Sequence, residues 1–178
     1  MNNLLQLIPA LIGIFWGAPL VAREIESGSI RLFLTQSVSR SRWLGSKLLL
    51  VALGSVIVGG LASLMITWWA GPWDHYNNLP FGTFNVRNIV PVAYCLFSFA
   101  LGAFVGVVIR RTIAAMAVTL ILFACVLGAF GQWIRPHLPG FNVESRYWTL
   151  QWTESFIYLG FAIVLGFAAI WLFRRRTA

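Results

Sequence analysis

Five stretches of the chain carry no Asp, Glu, Lys or Arg: Met1 to Ala22, Leu48 to Trp73, Asn88 to Ile109, Thr112 to Ile134 and Ser155 to Phe173. At about 1.5 Å of rise per residue, each is long enough as a helix to cross a hydrocarbon core of about 30 Å. The pattern predicts five membrane helices over about 4–22, 44–69, 88–109, 112–134 and 155–173, in a single transmembrane domain spanning 1–178. The first stretch has Pro9 and Trp16 within it, no basic start, and runs into Arg23-Glu24 without a small-residue cleavage pattern, so it is expected to be a retained helix rather than a signal peptide.

One long polar segment, Arg23 to Lys47, separates the first two apolar runs and holds five of the thirteen basic and two of the five acidic residues. Its order predicts a helix end at Glu24 and Glu26, a break at Gly28-Ser29, a short amphipathic piece (Ile30, Arg31, Leu32, Phe33), and a new helix start after the basic, hydroxyl-rich run Ser37 to Arg42. Gly28 permits the positive φ that ends a helix sharply, and Ser29 can cap the next one. Glu24 and Glu26 are expected to pair with Arg31, Arg40 or Arg42, or with charges on a partner. The loops 71–87 and 135–154, rich in Pro, Gly, Asn and aromatics, read as connections on the opposite side.

Composition agrees: 59% hydrophobic residues, 10% charged and a mean hydropathy of +0.80 describe a multi-pass, all-α integral membrane protein with the lipid bilayer as its constant partner; the plasma membrane is its expected location, which composition does not itself show. A net charge of +8 would make nucleic acid a candidate partner for a soluble chain. Here the basic residues sit at the ends of apolar runs, so the charge sets topology and no nucleic-acid binding is expected. With the 23–47 segment inside, ten of the thirteen Lys and Arg residues share the cytoplasmic side, leaving Arg87, Arg135 and Arg146 outside. That bias predicts the N-terminus out and the C-terminus in.

Enzymatic motifs are missing from the sequence. Gly45-Ser46-Lys47 lacks the first glycine and the following hydroxyl of a phosphate loop, so the chain is not expected to bind ATP. His75 and His137 are isolated, and Cys95 and Cys125 fall inside apolar runs as buried thiols; no catalytic, metal or cofactor site is expected. An intramembrane enzyme would need ionisable groups at depth, and the apolar runs contain no carboxylate. Gly102 and Gly106 form a GxxxG, a sign of close helix approach.

The run Phe15 to Gly28 (FWGAPLVAREIESG) and its continuation Thr35 to Leu44 (TQSVSRSRWL) closely resemble permease subunits of type-2 ABC exporters, particularly those of actinobacterial type. The likeness continues in Thr67-Trp68-Trp69, in Arg110-Arg111-Thr112 with Ala115 to Leu120, in Trp133 to Pro136, in Ser145 to Trp148 and in Arg174 to Arg176. The resemblance implies that Glu24, Gly28 and Ser29 end a gate helix and open a cytoplasmic coupling helix, making 23–43 a coupling loop that docks on a separate ABC ATPase subunit. Ile30, Leu32 and Phe33 would then fill the ATPase groove, with Glu24, Glu26, Arg31, Arg40 and Arg42 as a charged frame and Gly28 as hinge. It further implies pairing with a second permease copy or a related permease, and export of a hydrophobic drug, antibiotic or lipid powered by the ATPase. The family pattern places another membrane helix before the segment that opens this chain, so the first membrane helix is expected to be missing. The rival expectations are a non-transporting membrane anchor or assembly partner derived from a truncated permease and, for the loop itself, an amphipathic helix lying on lipid.

Overall fold

An apolar chain in lipid must satisfy its backbone N–H and C=O groups internally, which leaves helices as the solution for these runs. The computed structural model describes residues 7–26, 40–77, 81–138 and 146–177. Five membrane-length helices result: α1 (Leu7–Glu26), α2 (Arg40–Asn77), α3 (Val90–Ile109), α4 (Thr112–His137) and α5 (Tyr147–Thr177). No strand occurs among the described residues.

The helices extend past the apolar runs that predicted them. α1 continues through Glu26, α2 begins at Arg40 and runs to Asn77, and α5 begins at Tyr147 rather than near 155. A charge ends an apolar run, but it does not end a helix when a partner or the aqueous boundary receives it. The reading of 135–154 as a connection is therefore corrected for its second part, since Tyr147 to Glu154 are helical.

α3 is the central element, with 72% of its span buried against 17% for α2, 22% for α4 and α5 and 44% for α1. Gly13 lies against Ser98, and Ala18 and Ala22 lie against Gly106, so α1 and α3 run in the same direction. Tyr94 meets Tyr158 and Phe97 meets Phe161, which sets α5 parallel to α3 as well. α4 returns antiparallel through the two-residue connection Arg110-Arg111, where Arg110 takes φ 59° and donates its backbone N–H to the Gly106 carbonyl at 3.1 Å. α2 faces outward with Leu50, Leu53, Leu61 and Leu64 exposed, as a lipid-facing helix does. Cys95 is buried as expected; Cys125 is exposed, which corrects the expectation of a buried thiol there.

α1 and α3 approach most closely where both are stripped to glycine. A Cβ on Gly102 would fall 2.3 Å from the Gly13 carbonyl oxygen, and one on Gly17 would fall 2.5 Å from that of Phe99. Gly13 to Gly17 is also a π-helical turn, in which the Ala18 N–H reaches back to the Gly13 carbonyl. The widened turn gives room to Pro19, whose ring would crowd the carbonyl four residues before it in a regular helix.

At the other end of α3 a polar knot covers its N-terminus. Gln151 accepts from the Val90 N–H at 3.2 Å, and the two hydrogens of its amide nitrogen are shared among the carbonyls of Phe84 (3.3 Å) and Arg87 (3.4 Å) and the Tyr147 hydroxyl (3.0 Å). Asn88, at φ 62°, donates to the same hydroxyl at 3.0 Å, and its carbonyl accepts from Ser63 at 2.7 Å. These bonds supply partners for backbone groups that the helix end leaves open, and they tie α2, α3 and α5 together.

Candidate functional site

The end of the bundle that carries the polar 23–47 segment is held by two carboxylates of α1. Glu24 pairs with Lys47 on α2, the two side chains 22% and 37% exposed. At that exposure such a pair is worth only about 0–1 kcal/mol, so its contribution is to orient α1 against α2 rather than to stabilise the fold. Glu26 reaches the N-terminus of α4, accepting from the Thr112 N–H at 2.9 Å and from its hydroxyl at 2.7 Å. Arg111, the cap position of α4, offers no side-chain cap of its own. Glu26 supplies that cap from a neighbouring helix, with its charge at the favourable end of the helix dipole.

Lys47 and Thr112 add to the partners expected for Glu24 and Glu26 from sequence, the arginines Arg31, Arg40 and Arg42, whose side chains lie outside the described residues. Gly28, Ser29, Ile30, Arg31, Leu32 and Phe33 lie outside the described residues. Arg40 and Arg42 fall in the first turns of α2, with their side chains outside the described residues. The structure therefore brings together Glu24, Lys47, Glu26 and Thr112 around the two ends of the 27–39 segment.

A second cluster, which sequence reasoning missed, sits toward the opposite end. Arg135 binds Glu154 with both arms of its fork, Nε donating to Oε2 at 3.1 Å and Nη2 to Oε1 at 2.5 Å. The Tyr94 hydroxyl donates to the same carboxylate and accepts from Arg135 Nη2 at 2.9 Å. Tyr158 packs edge-on against Tyr94 at 4.8 Å, and the Arg135 guanidinium lies 5.1 Å from the centre of the Phe84 ring. Glu154 is wholly buried, whereas the Arg135 side chain keeps 16% exposure. The sequence did contain a signal: Tyr147, Gln151, Glu154 and Tyr158 recur at three- and four-residue spacing, one polar stripe on one helix face. Among the described residues, no group of three His, Cys, Asp or Glu side chains is placed to hold a metal ion.

A family model described as ABC-2 membrane transporter related matches residues 1–135. The chain belongs to the ABC-2 membrane transporter related family. No curated protein and no solved structure matches it. The matched part of this ABC-2 related membrane protein contains the 23–47 segment with its Glu24 and Glu26 anchors, the central α3 and the Arg135 end of the buried cluster. Membership supports a multi-pass membrane protein of the ABC-2 permease type.

Proposed function

We propose that the chain is the membrane-spanning subunit of an ATP-binding cassette exporter, and that a separate ABC ATPase docks on the 23–43 loop. The observation that carries this is the family match over residues 1–135, which takes in that loop and the helices flanking it. In this reading the loop is cytoplasmic, the N-terminus is outside and the C-terminus inside, in keeping with the concentration of Lys and Arg at that end. Hydrolysis belongs to the partner, and the chain pairs with a second copy or a related permease. The cargo is a hydrophobic drug, antibiotic or lipid.

Anchoring at both ends of the loop gives the proposal a mechanical content. A push on 27–39 would load α1 through Glu24 and Glu26, α2 through Lys47 and α4 through Thr112. Ile30, Leu32 and Phe33 provide the apolar contact, because a few buried anchors carry most of the energy of a protein interface. Gly28 provides the hinge. Arg31, Arg40 and Arg42 frame the docking surface with charge.

The test is a mild-detergent pulldown of the tagged chain co-expressed with an ABC ATPase encoded beside it, against a variant with Ile30, Leu32 and Phe33 changed to Ser. Capture by wild type and loss from the variant is the expected result. Failure of the ATPase to co-purify with wild type would favour a non-transporting anchor. A milder variant, Phe33→Asp, is expected to uncouple ATPase activity from transport while membrane insertion stays normal; transport at the wild-type level would rule out the docking role of Phe33.

A further inference from the structure

A cavity of about 330 Å³ opens between α1, α3 and α4, a volume in the range of small-molecule sites. Its α4 wall is one continuous helix face that runs from Leu120 through Ala124, Leu127 and Gly131 to Arg135. Leu7 and Ala10 of α1 add apolar lining, and Asn85 and Tyr94 join Arg135 as its polar groups. Gly128 and Gly131 keep this wall concave, since a Cβ added at either would meet nothing within 4 Å.

The buried ion pair presents its positive half to this space. Arg135 lines the cavity, whereas Glu154 does not and is sealed from solvent. Glu154 and Tyr94 occupy Nε and Nη2 of the guanidinium; no hydrogen bond engages Nη1 among the described residues. Among the described residues no acidic side chain lines the cavity. Asn85 adds an amide oxygen that is buried without a partner among the described residues, an acceptor suited to a hydroxyl.

Position matches this chemistry. Arg135 lies near the end of α4 and Tyr94 one turn inside α3, at the level where headgroups meet hydrocarbon, and Leu120 lies deeper. The fifteen-residue separation of Leu120 and Arg135 corresponds to about 22 Å of helix, more than the roughly 15 Å depth of one leaflet. The site is therefore polar and cationic at the interface and apolar along an acyl chain's length.

We infer that this cavity binds a membrane amphiphile with an anionic, hydroxyl-bearing headgroup, with the anion on Arg135, the hydroxyl on Asn85 and one acyl chain along the α4 wall. The inference stands on the fold and does not require the transporter reading, so its test needs no ATPase. Delipidated protein would be titrated with phosphatidylglycerol and, separately, with phosphatidylcholine of the same chains, and bound lipid counted by native mass spectrometry. Preference for phosphatidylglycerol of about tenfold is expected, because both lipids offer a phosphate to Arg135 but only phosphatidylglycerol brings a headgroup hydroxyl for Asn85, and the choline cation of the other is repelled by Arg135.

Gly128→Leu with Gly131→Leu fills the wall without touching the ion pair, and is expected to abolish that binding while thermal unfolding stays unchanged. Arg135→Gln with Glu154→Gln removes both charges together and is expected to erase the headgroup preference while chain binding persists. Equal binding of the two lipids by wild type, or undiminished binding by the folded leucine variant, would overturn the inference. Displacement of phosphatidylglycerol by inorganic phosphate alone would also overturn it, because it would make the site a bare anion site. If the leucine variant does not fold, the glutamine pair decides.

Discussion

Gly102→Leu is expected to prevent assembly of the bundle, with the variant running as aggregate where the wild type elutes as one species by size-exclusion chromatography in mild detergent. The first added atom alone would stand 2.3 Å from the Gly13 carbonyl oxygen and 2.8 Å from the Ala18 nitrogen, both backbone atoms that cannot step aside as a side-chain end can. Overpacking of this kind costs about 1–3 kcal/mol even where side chains can yield. Here two helices must separate along the contact Gly13, Gly17, Gly102 and Gly106, so the loss is expected to exceed that range and approach the whole stability of a domain, about 5–15 kcal/mol. Gly60→Ala is the matched control, because a Cβ there meets nothing within 4 Å and alanine favours the helix by up to about 1 kcal/mol. A Gly102→Leu protein with wild-type elution and melting temperature would show that α1 and α3 do not meet at these glycines.

Glu154→Ala is expected to cost about 3–5 kcal/mol, the usual penalty for stranding one member of a buried ion pair. Arg135 would be left mostly buried with no carboxylate, and the Tyr94 hydroxyl would lose its acceptor. Replacing both charged partners, Arg135→Met with Glu154→Leu, should cost much less, since two apolar groups of similar volume avoid the desolvation of both charges. The comparison is made by thermal unfolding in one detergent, with the single variants Arg135→Met and Glu154→Leu completing the cycle. Additive effects in that cycle would show that the pair is not coupled and would remove the basis for treating Arg135 as held in place by Glu154.

These two predictions bear on residues of opposite legibility. Gly102 and Gly106 were visible as a GxxxG, yet spacing could not say that Gly102 meets Gly13 and Gly17, that Gly106 meets Ala18 and Ala22, or that a π-helical turn lies at that contact. Glu154 was visible only as the charge that ended an apolar run. Reading it as the edge of a loop removed Tyr147 to Glu154 from α5 and hid the Arg135 pair. The polar stripe at Tyr147, Gln151, Glu154 and Tyr158 was the available clue, and it is meaningful only once the segment is known to be helical. On the other side, Glu24 and Glu26 were singled out from sequence, but their contacts Lys47 and Thr112 lie 23 and 86 residues away in sequence.

By itself the sequence determined that the chain is helical and membrane-embedded with five apolar spans, and that a short hairpin turns at Arg110-Arg111. Those properties depend on the contrast between water and hydrocarbon, which single residues report directly. The tertiary structure alone decided that α3 is the centre, that α1 is clamped to it through glycine, and that Arg135 meets Glu154. Lipid tails and a protein interior are nearly equal in polarity, so no hydrophobic pattern distinguishes a buried face of a membrane helix from a lipid-facing one. Shape complementarity and the pairing of the few polar groups make that choice, and both exist only after the helices have met.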